Sequence, residues 1–275
     1  MNGTMRNIFS ATVLALWILF GVGMASGTWT ATQWLLLTIG HICCLVIWLQ
    51  FTWVFNYGYA LTMIANSAAV MVLHPSVPGL VVGALTAVFG LRLLQFTHAR
   101  YSSAQYLSSA GRQRRAVGEM PVVAKAMLWL FVAWLMGFEL MALYFIAVSG
   151  ALSATLWVGA ALMLAGLVLE TVADRQKQAA KARSPESCVM DGLYARIRHP
   201  NYLGEILFQA GLIICAAGAL DGWWQWAVGV AAPCYIIVLM VWSAHSQDDS
   251  QQSRYGQDPA WQRYRASSGS LLPWV

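Results

Sequence analysis

The sequence predicts an all-α membrane protein, a polytopic bundle of seven to eight transmembrane helices with cytoplasmic N- and C-termini. Three observations predict it. The 275 residues are 59% hydrophobic and only 10% charged, whereas a soluble chain carries about 25% charged residues. A surface so poor in charge has to face lipid. Apolar runs recur near 8–25, 33–54, 79–97, 122–148, 152–173, 202–219 and 222–244, each close to the ~20 residues a helix needs to cross a bilayer. Finally, nearly all Lys and Arg residues cluster in certain connections, and the other connections contain none.

The first run follows Arg6 and precedes the small residues Ala25-Ser26-Gly27, as in a signal peptide; it is read as a span. The second run ends before Asn56-Tyr57-Gly58, a helix-breaking triplet, and a shorter apolar run, 58–73, follows. Arg100, Arg112, Arg114 and Arg115 share one loop. Arg175, Lys177, Lys181, Arg183, Arg196 and Arg198 share another, and Arg254, Arg263 and Arg265 lie in the tail. The links near 26–32, 74–78, 149–151 and 220–221 contain no Lys or Arg. Basic loops stay in the cytoplasm, so the protein is expected in an inner membrane with these loops inside. A cytoplasmic N-terminus requires 58–73 to count as a span, and parity then favours eight helices over seven. The whole chain, 1–275, reads as a single integral membrane domain.

Fourteen tryptophans suit the membrane–water boundary. The net charge of +5 reads as topology, because no basic stretch interleaved with aromatics marks a nucleic-acid surface. Cys43, Cys44, Cys188, Cys215 and Cys234 show no metal-ligand spacing. The expectation is no disulfide and no zinc, with most of the cysteines serving as small hydrophobes.

An ionisable residue inside a span is costly and marks a functional candidate. In or near spans lie His41, Gln50, Asn56, Arg92, Glu139, Glu170, Glu205 and Gln209. For His41 and Gln50 an ordinary interhelical hydrogen bond or a helix end near the headgroups is the simpler account. Arg92 can snorkel to the cytoplasmic boundary. Glu139 lies mid-span and needs a partner or a proton, since burial raises a carboxyl pKa.

The densest polar block runs from Glu170 to Glu205. Glu170, Asp174 and Lys177 fall on one helical face: either a helix cap with i,i+4 pairs or the polar wall of a ligand site. Further on, Arg196, Arg198 and His199 precede Pro200, which suits the start of a helix. Cations beside a helix N-terminus make an anion site. Asn201 and Glu205, four apart, then face the same way into the bundle. Topology alone accounts for the arginines but not for this pair. The tail, with Asp248-Asp249, Arg254-Tyr255-Gly256 and Trp261 to Tyr264, is too aromatic to be disordered and is expected to fold back over the cytoplasmic mouth.

These residues resemble a known family. Glu170-x-x-x-Asp174-Arg-Gln-Lys, Gly192-Leu-Tyr-x-x-x-Arg198-His-Pro-Asn-Tyr-Leu-Gly-Glu205, Arg254-Tyr-Gly-x-Asp258-Pro-x-Trp-x-x-Tyr264 and a closing Leu-Pro-Trp resemble the steroid 5α-reductase family, and most closely its bacterial branch. The likeness is specific over about 165–275. It is looser over 115–148, where Met120-Pro121 opens a Trp-rich span, and at Gly90-Leu-Arg92, and it fades over 1–85. The Arg-His-Pro stretch is also similar to sterol reductases and to isoprenylcysteine carboxyl methyltransferases.

The resemblance implies NADPH on the cytoplasmic side, with 116–275 as the cofactor region and 1–115 as the substrate side. It implies that Glu170, Asp174 and Lys181 line the adenosine–phosphate end and that Asn201 and Glu205 hold the nicotinamide end. Arg92, Arg198 and Tyr255 would also touch the cofactor, and His199, Tyr202, Asp248 and Tyr264 complete the expected set. The steroid enzymes grip the substrate carbonyl with a Gln-Glu pair and a tyrosine. This chain has no such pair and carries Phe89 at the tyrosine's spacing from Arg92, so Asn56, Tyr57 and Glu139 become the catalytic candidates.

The expected reaction is NADPH-dependent reduction of the C=C bond of a lipophilic enone, such as a 3-oxo-Δ4-steroid, entering from the bilayer. A tyrosine or a protonated carboxyl would polarise the carbonyl. The alternatives are a membrane methyltransferase using S-adenosylmethionine on a lipophilic thiolate, carboxylate or amine, and a transporter or scaffold.

Overall fold

The computed structural model describes residues 3–102 and 121–273. Arg112, Arg114, Arg115, Met120 and Trp274, together with the 115/116 boundary, lie outside the described residues. The ordered elements described are helical: α1 (Gly3–Ser26), α2 (Ala31–Cys43), α3 (Tyr57–Leu73), α4 (Val77–Tyr101), α5 (Val122–Glu139), α6 (Met141–Ser149), α7 (Ala154–Arg183), α8 (Pro200–Ala217), α9 (Gly222–Tyr255) and α10 (Pro259–Ser267). Short 3₁₀ turns occupy Cys44–Trp48, Phe51–Phe55 and Gly192–Ala195.

Among the described residues, five segments are long and apolar enough to cross a membrane: Ala31–Trp48, Val77–Tyr101, Val122–Ser149, Ala154–Arg183 and Gly222–Tyr255. The chain is an integral membrane protein. Ser10–Ser26 is apolar but shorter.

The run 33–54 departs from a single continuous span. Helix α2 stops at Cys43, and two 3₁₀ turns follow, separated by Gln50 in an extended conformation (φ −150°, ψ 127°). Apolarity reports the surroundings of a segment and not its hydrogen-bond ladder. These turns consist mainly of β-branched and aromatic residues, which are weak helix formers.

The chain divides into two compact units. The first is Met1–Ala160 with Leu212–Pro233, and the second is Ala161–Gly211 with Cys234–Val275. Close helix crossings at glycine organise both, as is common where lipid provides no hydrophobic drive between helices. In the first unit α2 meets α5 at Gly40 and Gly137: a Cβ on Gly40 would lie 2.8 Å from the Ala133 carbonyl oxygen, and one on Gly137 would lie 2.9 Å from Leu37 Cδ2. Helices α3 and α4 share a buried hydrogen bond between the Ser67 and Thr86 hydroxyls (2.6 Å). Asn66 donates to the Leu36 carbonyl at 3.3 Å. Val122–Ser149 is the most deeply packed of the five spans, and its helix is interrupted at Leu140 (φ −104°, ψ 16°). In the second unit α7 meets α8 at Gly166 and Gly204. There a Cβ would lie 2.4 Å from the Gly204 oxygen or 2.6 Å from Glu170 Cβ, respectively.

Candidate functional site

The second unit gathers most of the residues singled out in the sequence. The glycine crossing sets the first part. Because Gly204 has no side chain, its backbone lies against Glu170, and Gly204 sits between Asn201 and Glu205 on the first turns of α8. Glu170 and Asp174 are buried on α7, each 6% exposed. Asn201, Tyr202 and Glu205 are half-buried.

A turn of chain then leads into α8. Gly192 adopts φ +62°, and a Cβ there would fall 2.5 Å from Gln176 Oε1. Gln176 uses that oxygen to accept the Leu193 N–H at 2.9 Å. The left-handed glycine thus lets α7 cap the Gly192–Ala195 turn. Tyr194 in this turn is buried. Burial first, and the nearby Asp174 charge second, push its phenol far above the usual range. Tyr194 therefore keeps its proton and donates to Asn201 Oδ1 at 3.5 Å, which turns the Asn201 amide N–H₂ away from Tyr194. Tyr264 on α10, its phenol also raised by burial, donates to the Tyr194 carbonyl at 2.6 Å. Two hydrogen bonds thus connect the tail helix to Asn201.

Pro200 opens α8, as its fixed φ allows. Arg198 and His199 just before it are buried, 8% and 3% exposed. Their donors converge on the chain's own carboxylate. Arg198 Nε and Nη2 donate to Asp248 Oδ1 and Oδ2 at 2.9 and 3.0 Å, and His199 Nε2 donates to Oδ1 at 2.9 Å. Arg198 Nη1 also donates to the Ser268 carbonyl and, at 3.2 Å, to its hydroxyl. The backbone joins in: Arg198 N–H reaches the Gly269 carbonyl at 2.8 Å, His199 N–H the Ser270 carbonyl at 3.0 Å, and Gly269 N–H the Arg196 carbonyl at 3.0 Å. Ile197 and Gly269 form a parallel bridge. The tail folds back as expected, but onto the 196–199 segment. The anion site expected at Arg198 and His199 holds Asp248. His199 and Tyr202 stack, with centroids 5.5 Å apart.

Arg198 also lines a cavity of ≈ 160 Å³. Its lining includes Lys177, Lys181, Arg198 and Arg254, with Tyr194, Tyr255 and Cys188. Lys181 Nζ donates to the Pro185 and Ser187 carbonyls at 3.0 and 2.8 Å. Arg254 is paired with Glu186, and the Tyr255 hydroxyl donates to the Glu186 carbonyl at 2.6 Å. A second cavity, ≈ 520 Å³, shares Arg198 and is lined by Asp248, Arg265, Ser270 and Leu272 among others.

The remaining candidates belong to the first unit. Asn56 precedes α3 and donates to the Tyr101 hydroxyl at 3.0 Å. Tyr57 packs edge-on against Trp53 and Tyr101, with centroids 5.2 and 5.6 Å apart. Arg92 lies over the Phe89 ring at 5.0 Å. Glu139 is fully buried as the last residue of α5, where the span is interrupted. His41 bonds the Leu37 carbonyl of its own helix at 2.8 Å.

Gln176, Tyr194, Tyr101, Arg254, Glu186 and Ser268 were not among the site residues expected from the sequence, although Gln176, Tyr194 and Arg254 stand in the family-like motifs. The Gly192-Leu-Tyr run was a readable signal for the capped turn. Ser268 and Gly269 act largely through the main chain, which leaves no side-chain signature.

Nothing among curated proteins and nothing among solved structures matches the chain. The family model described as protein of unknown function (DUF1295) matches residues 48–268, a range that takes in every candidate residue from Asn56 to Tyr264. The chain belongs to the DUF1295 family.

Proposed function

We propose that the protein is an NADPH-dependent reductase of the C=C bond of lipophilic enones such as 3-oxo-Δ4-steroids. The observation that carries this proposal is the lining of the ≈ 160 Å³ cavity, where Lys177, Lys181, Arg198 and Arg254 stand with Tyr194 and Tyr255. Such a donor set suits phosphates. It suits S-adenosylmethionine less, because a sulfonium and an ammonium would meet like charge there. The kinship of DUF1295 with steroid 5α-reductase-like membrane proteins supports the same choice.

NADPH, when bound, supplies the hydride for the β-carbon of the enone. Lys177, Lys181 and Arg254 bind the phosphates. Buried Glu170 and Asp174 accept hydrogen bonds from the adenosine end. Asn201, its Oδ1 held by Tyr194, offers its N–H₂ to the carboxamide, beside Glu205. A donor such as Tyr57 or Glu139 would hydrogen-bond the carbonyl oxygen as enolate charge develops, with Asn56 next to Tyr57, and a proton from water would complete the saturated ketone at the α-carbon. The distribution of Lys and Arg supports cytoplasmic termini and a cytoplasmic cofactor end; the proposal further takes the chain to have seven to eight spans in a bacterial inner membrane and its substrate to arrive through the lipid.

Deuterium tracing tests this. Protein in detergent, given cofactor labelled on the transferred position and a Δ4-3-ketosteroid, yields a saturated ketone with deuterium at the β-carbon by mass spectrometry. Unlabelled or unreacted substrate across a panel of lipophilic enones sinks the proposal.

A further inference from the structure

The cation-lined cavity is small for what it is proposed to hold. Ligand sites for cofactors and drug-sized molecules usually span about 300–1,000 Å³, and this one is ≈ 160 Å³. One of its walls is the connection between α7 and the Gly192–Ala195 turn, which contributes Cys188 and Val189. That connection is fastened at one end of the cavity by the residues that would read an anion. Lys181 spends donors on the Pro185 and Ser187 carbonyls. Tyr255 holds the Glu186 carbonyl. Arg254 is paired with the Glu186 carboxylate, and the pair is exposed, with side-chain accessibilities of 56% and 82%. Glu186 thus fastens the loop to Arg254, a cation that lines the cavity, while Asp191 at the far end of the loop pairs with Arg183, which does not line it, at 3.6 Å.

We infer that the 184–191 loop is a latch across the phosphate end of this cavity, and that Glu186 is an internal anion which a diphosphate-bearing ligand displaces from Arg254. The inference rests on the cavity's being a phosphate site, as in the proposed function. Its physical basis is exchange between like groups. An exposed ion pair contributes little net stability, because both partners are well solvated when apart. A diphosphate brings more charge and more acceptor oxygens than one carboxylate, so exchange at Arg254 favours the ligand. The loop then swings off Lys181 and enlarges the cavity. Glu186 therefore sets affinity: it acts as a competitor held at high local concentration.

The sign of the effect is what distinguishes this latch from a site carboxylate. Removing a carboxylate that contacts the ligand weakens binding, whereas removing a competitor strengthens it. Calorimetric titration of the detergent-purified full chain with NADPH, and separately with inorganic pyrophosphate, reads that sign. Glu186→Gln is expected to tighten both ligands about two- to five-fold, the range an exposed ion pair can supply. Arg254→Gln is expected to weaken both, and adding Glu186→Gln in that background should change neither, because the competitor then has nothing to occupy. Equal or weaker binding of pyrophosphate in Glu186→Gln overturns the latch, as does an undiminished gain in the double variant. If pyrophosphate tightens as expected while NADPH binds no variant, the latch stands and the proposed cofactor falls. If neither ligand binds any variant, both fall.

Discussion

Arg198 meets Asp248 through two parallel hydrogen bonds, at 2.9 and 3.0 Å, with both side chains about nine-tenths buried. The third nitrogen of the same guanidinium holds the Ser268 carbonyl. One arginine thus joins α9, the start of α8 and the C-terminal tail. Removing one partner of a buried pair leaves a charge without compensation, which costs about 3–5 kcal/mol. Asp248→Ala should therefore lower the thermal midpoint of the detergent-purified protein by several degrees and expose the tail to protease. An unchanged midpoint with a protected tail would show that the pair contributes little.

The crossing of α7 and α8 predicts a different kind of loss. A Cβ on Gly204 would lie 2.7 Å from the Glu170 backbone nitrogen, and backbone moves less readily than a side-chain tip. Overpacking of this kind costs about 1–3 kcal/mol. Gly204→Ala should cut nucleotide affinity as well as stability, because Glu170 and α8 shift together. Wild-type affinity in a destabilised variant would separate the crossing from the site.

Much of this was legible in the sequence, and the failures have physical causes. Hydropathy marked seven span-length apolar runs, and five of them coincide with segments long and apolar enough to cross, because lipid contact is a composition property. It did not reveal that 33–54 stops being α-helical at Cys43, since a 3₁₀ turn and an α-helix bury the same apolar residues. It placed Glu139 mid-span without showing that the helix is interrupted there. The spacing of Asn201 and Glu205 was read correctly as one helical face. The destination of Arg198 was not readable, because its partner Asp248 lies 50 residues away on a helix whose register depends on packing. The tail's grip runs through the main chain of Gly269 and Ser270, which any sequence could supply.

Asn201→Ala and Glu205→Ala carry the assignment of the nicotinamide end. Each should abolish stabilisation by NADPH while leaving the unliganded midpoint near that of the wild type, since both residues are half-buried. Wild-type binding in both would remove them from the site.

Cys188 lines the cation-rich cavity and gives a pH-dependent readout. Burial raises its thiol pKa, and the charges of Lys181 and Lys177 offset that only in part. The thiolate is the reactive form, so a raised pKa means less thiolate at neutral pH. Alkylation of Cys188 by iodoacetamide, followed by mass spectrometry, should be slower than for a free cysteine near pH 7 and keep rising into the alkaline range. A rate that levels off near neutrality would contradict the buried setting.

The central claim is that the second unit binds NADPH through its cation-lined cavity. Thermal unfolding of the detergent-purified protein with NADPH and with S-adenosylmethionine tests it most directly, since a ligand that binds only the folded state raises the midpoint with concentration. The predicted result is a concentration-dependent rise with NADPH and none with S-adenosylmethionine; the reverse pattern would contradict the claim.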